Sequence, residues 1–296
     1  MMLYVWFVIA GAFAGVSAGL FGVGGGMIIV PALVWIFTAY HFSPEVVTHL
    51  AIGTSLATIV VTSISSLTAH NKRGGVRWEV WRKMALGLVI GSLVGAGIAD
   101  MIDGKVLQAI IGIGALLVAL KMLFLSNKEQ LGKPLPSAGI QFGAGTGIGL
   151  ASSIFGIGGG SLTVPFLNWA GLPMKQSVGT SAACGLPIAV AGAIGFAWFG
   201  QDVVNLPEGT IGFVHITGFL CISVASFAMA KVGAKLAHVL PALTLKRAFG
   251  VLLLFAGGQL LLSGIGVIYT LSPINRIKPQ THPLSGELIM VAEHTP

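Results

Sequence analysis

Two stretches of this 296-residue chain offer uncharged hydrogen-bond donors, and each occurs in two matching copies. The first is Phe21-Gly22-Val23-Gly24-Gly25-Gly26, with Val30-Pro31 close behind. It returns 134 residues later as Phe155-Gly156-Ile157-Gly158-Gly159-Gly160, with Val164-Pro165 behind it. The second is Gly53-Thr54-Ser55, repeated as Gly179-Thr180-Ser181. Bare backbone N–H groups at a helix start, helped by the positive end of the helix dipole, can hold an anion. The hydroxyls of Thr54, Ser55, Thr180 and Ser181 would complete a shell of neutral donors. An oxyanion suits such a shell because it accepts several hydrogen bonds at once. Ser161 follows Gly160 directly and adds a hydroxyl, although Met27 holds the matching place in the first copy. The candidate substrate-binding set is therefore Gly24, Gly25, Gly26, Gly53, Thr54, Ser55, Gly158, Gly159, Gly160, Ser161, Gly179, Thr180 and Ser181.

Each of these has a plainer role to weigh. Glycines permit close helix crossings, and Ser and Thr in apolar helices often bond their own backbone. The registered duplication favours the binding role. Among the histidines, His49 stands just before Gly53, His70 opens a basic loop, and His215 follows an apolar run. His49 and His70 are the candidates for proton coupling, although a solvated interfacial place is the commoner role for His70. Ser161 with His215 could imitate a hydrolase dyad, but nothing in the sequence fixes their distance and the repeat accounts for the glycines better. There is no metal-ligand spacing, no phosphate-binding loop with Lys-Ser/Thr and no aromatic-basic surface for nucleic acid. No catalytic residue, metal or cofactor is expected.

These groups must be positioned by apolar helices. The chain is 55% hydrophobic and 8% charged, with a mean hydropathy of +0.92; soluble domains carry about a quarter charged residues. The class is an all-α polytopic membrane protein. Apolar segments fall at 3–21, 27–40, 46–69, 80–100, 104–125, 137–155, 161–172, 176–200, 210–230 and 244–270. A span needs about 20 residues to cross ~30 Å of hydrocarbon. The segments behind the glycine triplets are shorter, at roughly 21 and 18 Å. They read as half-helices, each paired with the segment before it in a broken or re-entrant helix. Pro31 and Pro165, near their starts, add a kink or fill an early turn.

No Lys or Arg precedes Lys72, so the first segment lacks the basic flank of a secretory signal and is expected to remain. Cys184 and Cys221 lie in apolar runs and read as packing residues, not a disulfide framework. Basic residues favour the cytoplasmic side. Lys72, Arg73, Arg77, Arg82 and Lys83 place their loop inside. Alternate counting adds Lys121, Lys128, Lys133, Lys175, Lys231, Lys235, Lys246 and Arg247, leaving only Lys105, Arg276 and Lys278 outside. Five segments per copy is an odd number, so the copies are inverted, with both termini outside. Residues 1–130 form the first repeat, 131–271 the second, and 272–296 a polar tail read as unstructured. Interrupted helices at matching places of inverted repeats point to a secondary transporter with a site near mid-membrane.

At these residues the sequence resembles the TauE/SafE sulfite-exporter family. The likeness rests on both glycine motifs with their prolines and on both Gly-Thr-Ser units. His70-Asn71-Lys72-Arg73-Gly74-Gly75-Val76-Arg77-Trp78 and the ladder Gly87, Gly91, Gly95 extend it, and it covers residues 5–270. The resemblance implies a bacterial-type inner-membrane permease for sulfur-containing or small organic anions such as sulfite, sulfoacetate or other sulfonates. The bilayer and the anion are the expected partners, nucleic acid is not, and a homodimer stays open. A passive anion channel of the same architecture is the main alternative, ahead of the Ser161/His215 hydrolase and a non-transporting subunit.

Overall fold

A computed structural model describes residues 2–21, 25–124, 134–239, 242–266, 277–281 and 288–292. Gly24 and the loop residues Lys128 and Lys133 lie outside the described residues. The first half comprises α1 (Met2–Phe21), α2 (Gly26–Ala39), α3 (Val47–Lys72), α4 (Trp78–Asp100) and α5 (Gly104–Phe124). The second comprises α6 (Ala138–Phe155), α7 (Gly160–Trp169), α8 (Met174–Phe199), the two-residue strands β1 (Thr210–Ile211) and β2 (Val214–His215), α9 (Ile216–Val239) and α10 (Ala242–Gly264). β3 (Ile277–Thr281) and β4 (Leu288–Ala292) pair antiparallel beyond it. The polar tail, expected to be unstructured, thus contains a strand pair.

The protein is an all-α membrane protein. Among the described residues three helices, α3, α4 and α8, are long and apolar enough to cross a membrane. Large apolar side chains stand on the outer surface, with Phe255 75% and Trp198 69% exposed. In water such surface would be costly; in hydrocarbon it is the expected finish. Helices α2 and α7, of 14 and 10 residues, are about 21 and 15 Å long and fall short of a bilayer.

Packing follows the duplication. Helix α1 lies along α9, α4 along α6, α3 along α8 and α5 along α10. Matching α6–α10 in order to α1–α5 converts the first pair into the second and returns the last two to themselves. Small residues allow these approaches: a Cβ at Gly87, Gly91 or Gly95 would run into the backbone of Phe142, Thr146 or Leu150 on α6. Gly11 and Gly15 meet Ile222 and Ser226 on α9 in the same way.

Helices α3 and α8 run antiparallel. Gly179, early in α8, packs on Gly75, just past the end of α3, and Gly53, early in α3, packs on Phe213, just past the end of α8. The sequence expectation of one apolar helix from residue 210 is corrected here. Gly209 and Gly212 have left-handed backbones (φ 77° and 51°), which end any helix. Residues 210–215 instead form a tight hairpin with Thr210 opposite His215. Within α8, Pro187 has no N–H for the carbonyl four residues back, and Trp81 Nε1 donates to that carbonyl, Ala183 O, at 3.0 Å.

Candidate functional site: the meeting of the two helix breaks

Both helix breaks are made by left-handed glycines. Gly25 caps α2 at φ 74° and Gly159 caps α7 at φ 70°, a conformation that costs other residues about 1–2 kcal/mol. Neither cap uses a side chain, so the first-turn N–H groups depend on backbone or a ligand. In α7, Gly160 N–H reaches Gly158 O at 2.8 Å, while Leu162 and Thr163 N–H share Gly159 O at 3.1 and 2.7 Å. Among the described residues, that leaves the Ser161 N–H without an acceptor.

The breaks touch one another. A Cβ on Gly26 would lie 2.6 Å from Gly156 O and 3.1 Å from Ile157 Cα. Ser161 Oγ stands 3.4 Å from Met27 Sδ, joining the second residues of α7 and α2. Ser55 Oγ donates to Gly156 O at 2.9 Å and ties α3 to the second break. Gly158 packs against Ile59, and its carbonyl faces Gly185, beside Ser63 Oγ. The start of each short helix, with its dipole's positive end, therefore points at one shared place.

Other hydroxyls near the second break are idle. Ser152 in the last turn of α6 and Thr163 in the first turn of α7 flank it; Ser153 Oγ instead faces Gly192 on α8, and Ser181 lies one turn before Gly185 in α8. All four are buried, and their oxygens have no partner among the described residues. Buried polar groups are seldom left unpaired, and those that are call for an explanation. Ser181 was expected from the sequence; Ser152, Ser153 and Thr163 were not. The repeat could not flag Ser152 and Ser153, whose matching places hold Ala18 and Gly19.

The expected residues divide into two groups. Gly25, Gly26, Ser55, Gly158, Gly159, Gly160 and Ser161 come together at the breaks. Gly53, Thr54, Gly179 and Thr180 do not; they face the two ends of the bundle. Thr54 Oγ1 accepts the His215 N–H at 2.9 Å, and Thr180 Oγ1 accepts the Arg77 N–H at 2.9 Å. Each glycine beside them lets the incoming backbone approach, Phe213 at Gly53 and Gly75 at Gly179. The Gly-Thr pairs thus anchor the chain entering α9 and α4. A Ser161/His215 dyad is not formed, since Ser161 meets Met27 while His215 Nδ1 accepts the Gly218 N–H at 2.9 Å.

The sequence profile of the family described as "Sulfite exporter TauE/SafE" matches residues 7–260. The chain belongs to this family. A TauE/SafE relative from Haemophilus influenzae, named "Probable membrane transporter protein", is 35% identical over 247 residues, covering 83% of this chain and 93% of its own. One from Methanocaldococcus jannaschii, with the same designation, is 28% identical over 76% of this chain and 80% of its own. A third, from Bacillus subtilis and likewise so designated, is 25% identical over 89% of this chain and 99% of its own. No solved structure matches the chain with significance. The protein is a membrane transporter of this family.

Proposed function

We propose that this protein is a secondary transporter of small sulfur-containing or organic oxyanions, such as sulfite or a sulfonate. It works by alternating access between inverted repeats at residues 1–130 and 131–271. The observation that carries this reading is the contact of Ser161 with Met27, which brings the starts of two short helices to one point. Positive helix ends, together with the Ser161 N–H and the hydroxyls of Ser152, Thr163 and Ser181, which have no partner among the described residues, supply neutral donors for an oxyanion. No described Asp or Glu is buried there to repel it. The antiparallel course of α3 and α8 and the exchange of α1–α9 for α6–α4 support an inverted relation between the halves. The family's printed description supports the sulfur substrate class. In the cell the basic loops face the cytoplasm across the inner membrane, with both termini outside.

The test is flux from proteoliposomes loaded with sulfite, sulfoacetate, methanesulfonate or sulfate. A saturable efflux with counterflow supports the carrier. Unsaturable conductance far above carrier rates would replace it with a channel, and absence of flux for every sulfur anion would sink the substrate class.

A further inference from the structure

Every described Asp, Glu, Lys and Arg side chain is at least partly exposed. The buried ionisable groups among the described residues are His49, His215 and the Cys184 thiol. Among the described residues an anion entering this interior therefore meets no buried fixed positive side chain, and a protonated histidine is the cation they can offer.

The two histidines are held differently. His49 Nε2 lies 2.9 Å from Ala99 O; a carbonyl only accepts, so Nε2 carries the hydrogen. Its Nδ1 is then a bare acceptor, buried and without a partner among the described residues. His215 Nδ1 accepts the Gly218 N–H, so a proton there would set donor against donor and break the cap on α9. His49 can take a proton and keep the bond it has. The ring also stacks on Phe213 at 5.0 Å, a face that favours a cation. Ser55 is six residues further along α3, about 9 Å along the axis, and charge attraction carries over that distance in a low-dielectric interior. At the matching place of the second half, six residues before Ser181, stands the permanent cation Lys175.

We propose that His49 Nδ1 is a proton-binding site and that the proton taken there moves with the transported anion. The proposal rests on the anion-transport reading above. The charged groups on the elements around His49 are Asp100 beside Ala99, Glu45 before α3, and Asp103 and Lys105 at the start of α5; all are exposed, and His49 forms no ion pair with them. His215 lies two residues from Phe213; burial lowers its pKa, and the Gly218 N–H occupies its Nδ1.

The experiment uses the full chain in proteoliposomes with methanesulfonate, whose charge is constant between about pH 5 and 8, and an internal pH dye. Wild type is expected to move protons with methanesulfonate and to slow severalfold as pH rises through that range. His49→Gln should lose both proton movement and pH dependence, while His215→Gln keeps them. An unchanged pH dependence in His49→Gln, or its loss only in His215→Gln, overturns the proposal. If wild type moves no methanesulfonate, the transport reading fails for that anion and the proton site is read directly. In nitrogen NMR of labelled protein in nanodiscs, the resonance missing in His49→Gln should pass to the doubly protonated form at the acidic end of the flux range. A His49 that remains neutral there overturns the proposal whatever the flux.

Discussion

Ser161 Oγ lies 3.4 Å from Met27 Sδ, and the two residues are 134 positions apart, the spacing between the two glycine motifs. They hold matching places in the two glycine motifs. In this protein those places are the starts of two short helices, each opened by a left-handed glycine. The two short helices thereby start side by side, with the positive ends of their dipoles together.

The geometry of the caps predicts intolerance to any side chain. Gly159→Ala should lose about 1–2 kcal/mol from the left-handed backbone alone. More is lost because the new Cβ would lie 2.5 Å from Ile188 Cδ1. Gly143→Ala in α6, where a Cβ meets nothing within 4 Å, should be neutral or stabilising. Thermal unfolding in detergent compares the two.

Ser55→Ala removes the donor to a buried carbonyl at the break, Gly156 O. A loss of about 1–3 kcal/mol follows for the unsatisfied group, with reduced transport because the second break loosens. Melting temperature and initial flux should fall together.

Thr54→Val and Thr180→Val strand the N–H groups of His215 and Arg77. Each should cost about 1–3 kcal/mol of stability. Since both threonines anchor loops, the KM of the remaining transport should stay near that of wild type. A large rise in KM without destabilisation would show that these hydroxyls bind substrate instead.

Much of this was legible in the sequence. Triple glycines in apolar runs announced the breaks, because glycine is the residue that permits a left-handed cap, and the duplication announced that the breaks correspond. The direction in which a hydroxyl points was not legible: Thr54 and Ser55 are neighbours, yet one holds a loop and the other a break. The hairpin at 210–215 was hidden because its apolar residues continue into those of α9, and only the backbone of Gly209 and Gly212 separates them. Ser152 and Ser153 carried no repeat signal at all.

Stability should also depend on pH through His215. Burial lowers its pKa below the ordinary value of 6.5, so the unfolded chain takes the proton first as pH falls. The contribution is present above about 6.5 and is lost progressively as pH drops toward the folded value. Melting temperature should fall on acidification, and His215→Asn, which retains a helix-capping side chain, should flatten that fall.

The most direct measurement is the concentration dependence of sulfite efflux in wild type and Ser161→Ala. Ser161 is partly exposed and its weak contact to Met27 stabilises little, so the variant should fold normally. Loss of a hydrogen bond to a charged ligand, about 1.5–3 kcal/mol, predicts a KM raised at least about tenfold. An unchanged KM in a well-folded Ser161→Ala protein would contradict the placement of the anion site where the two helix breaks meet.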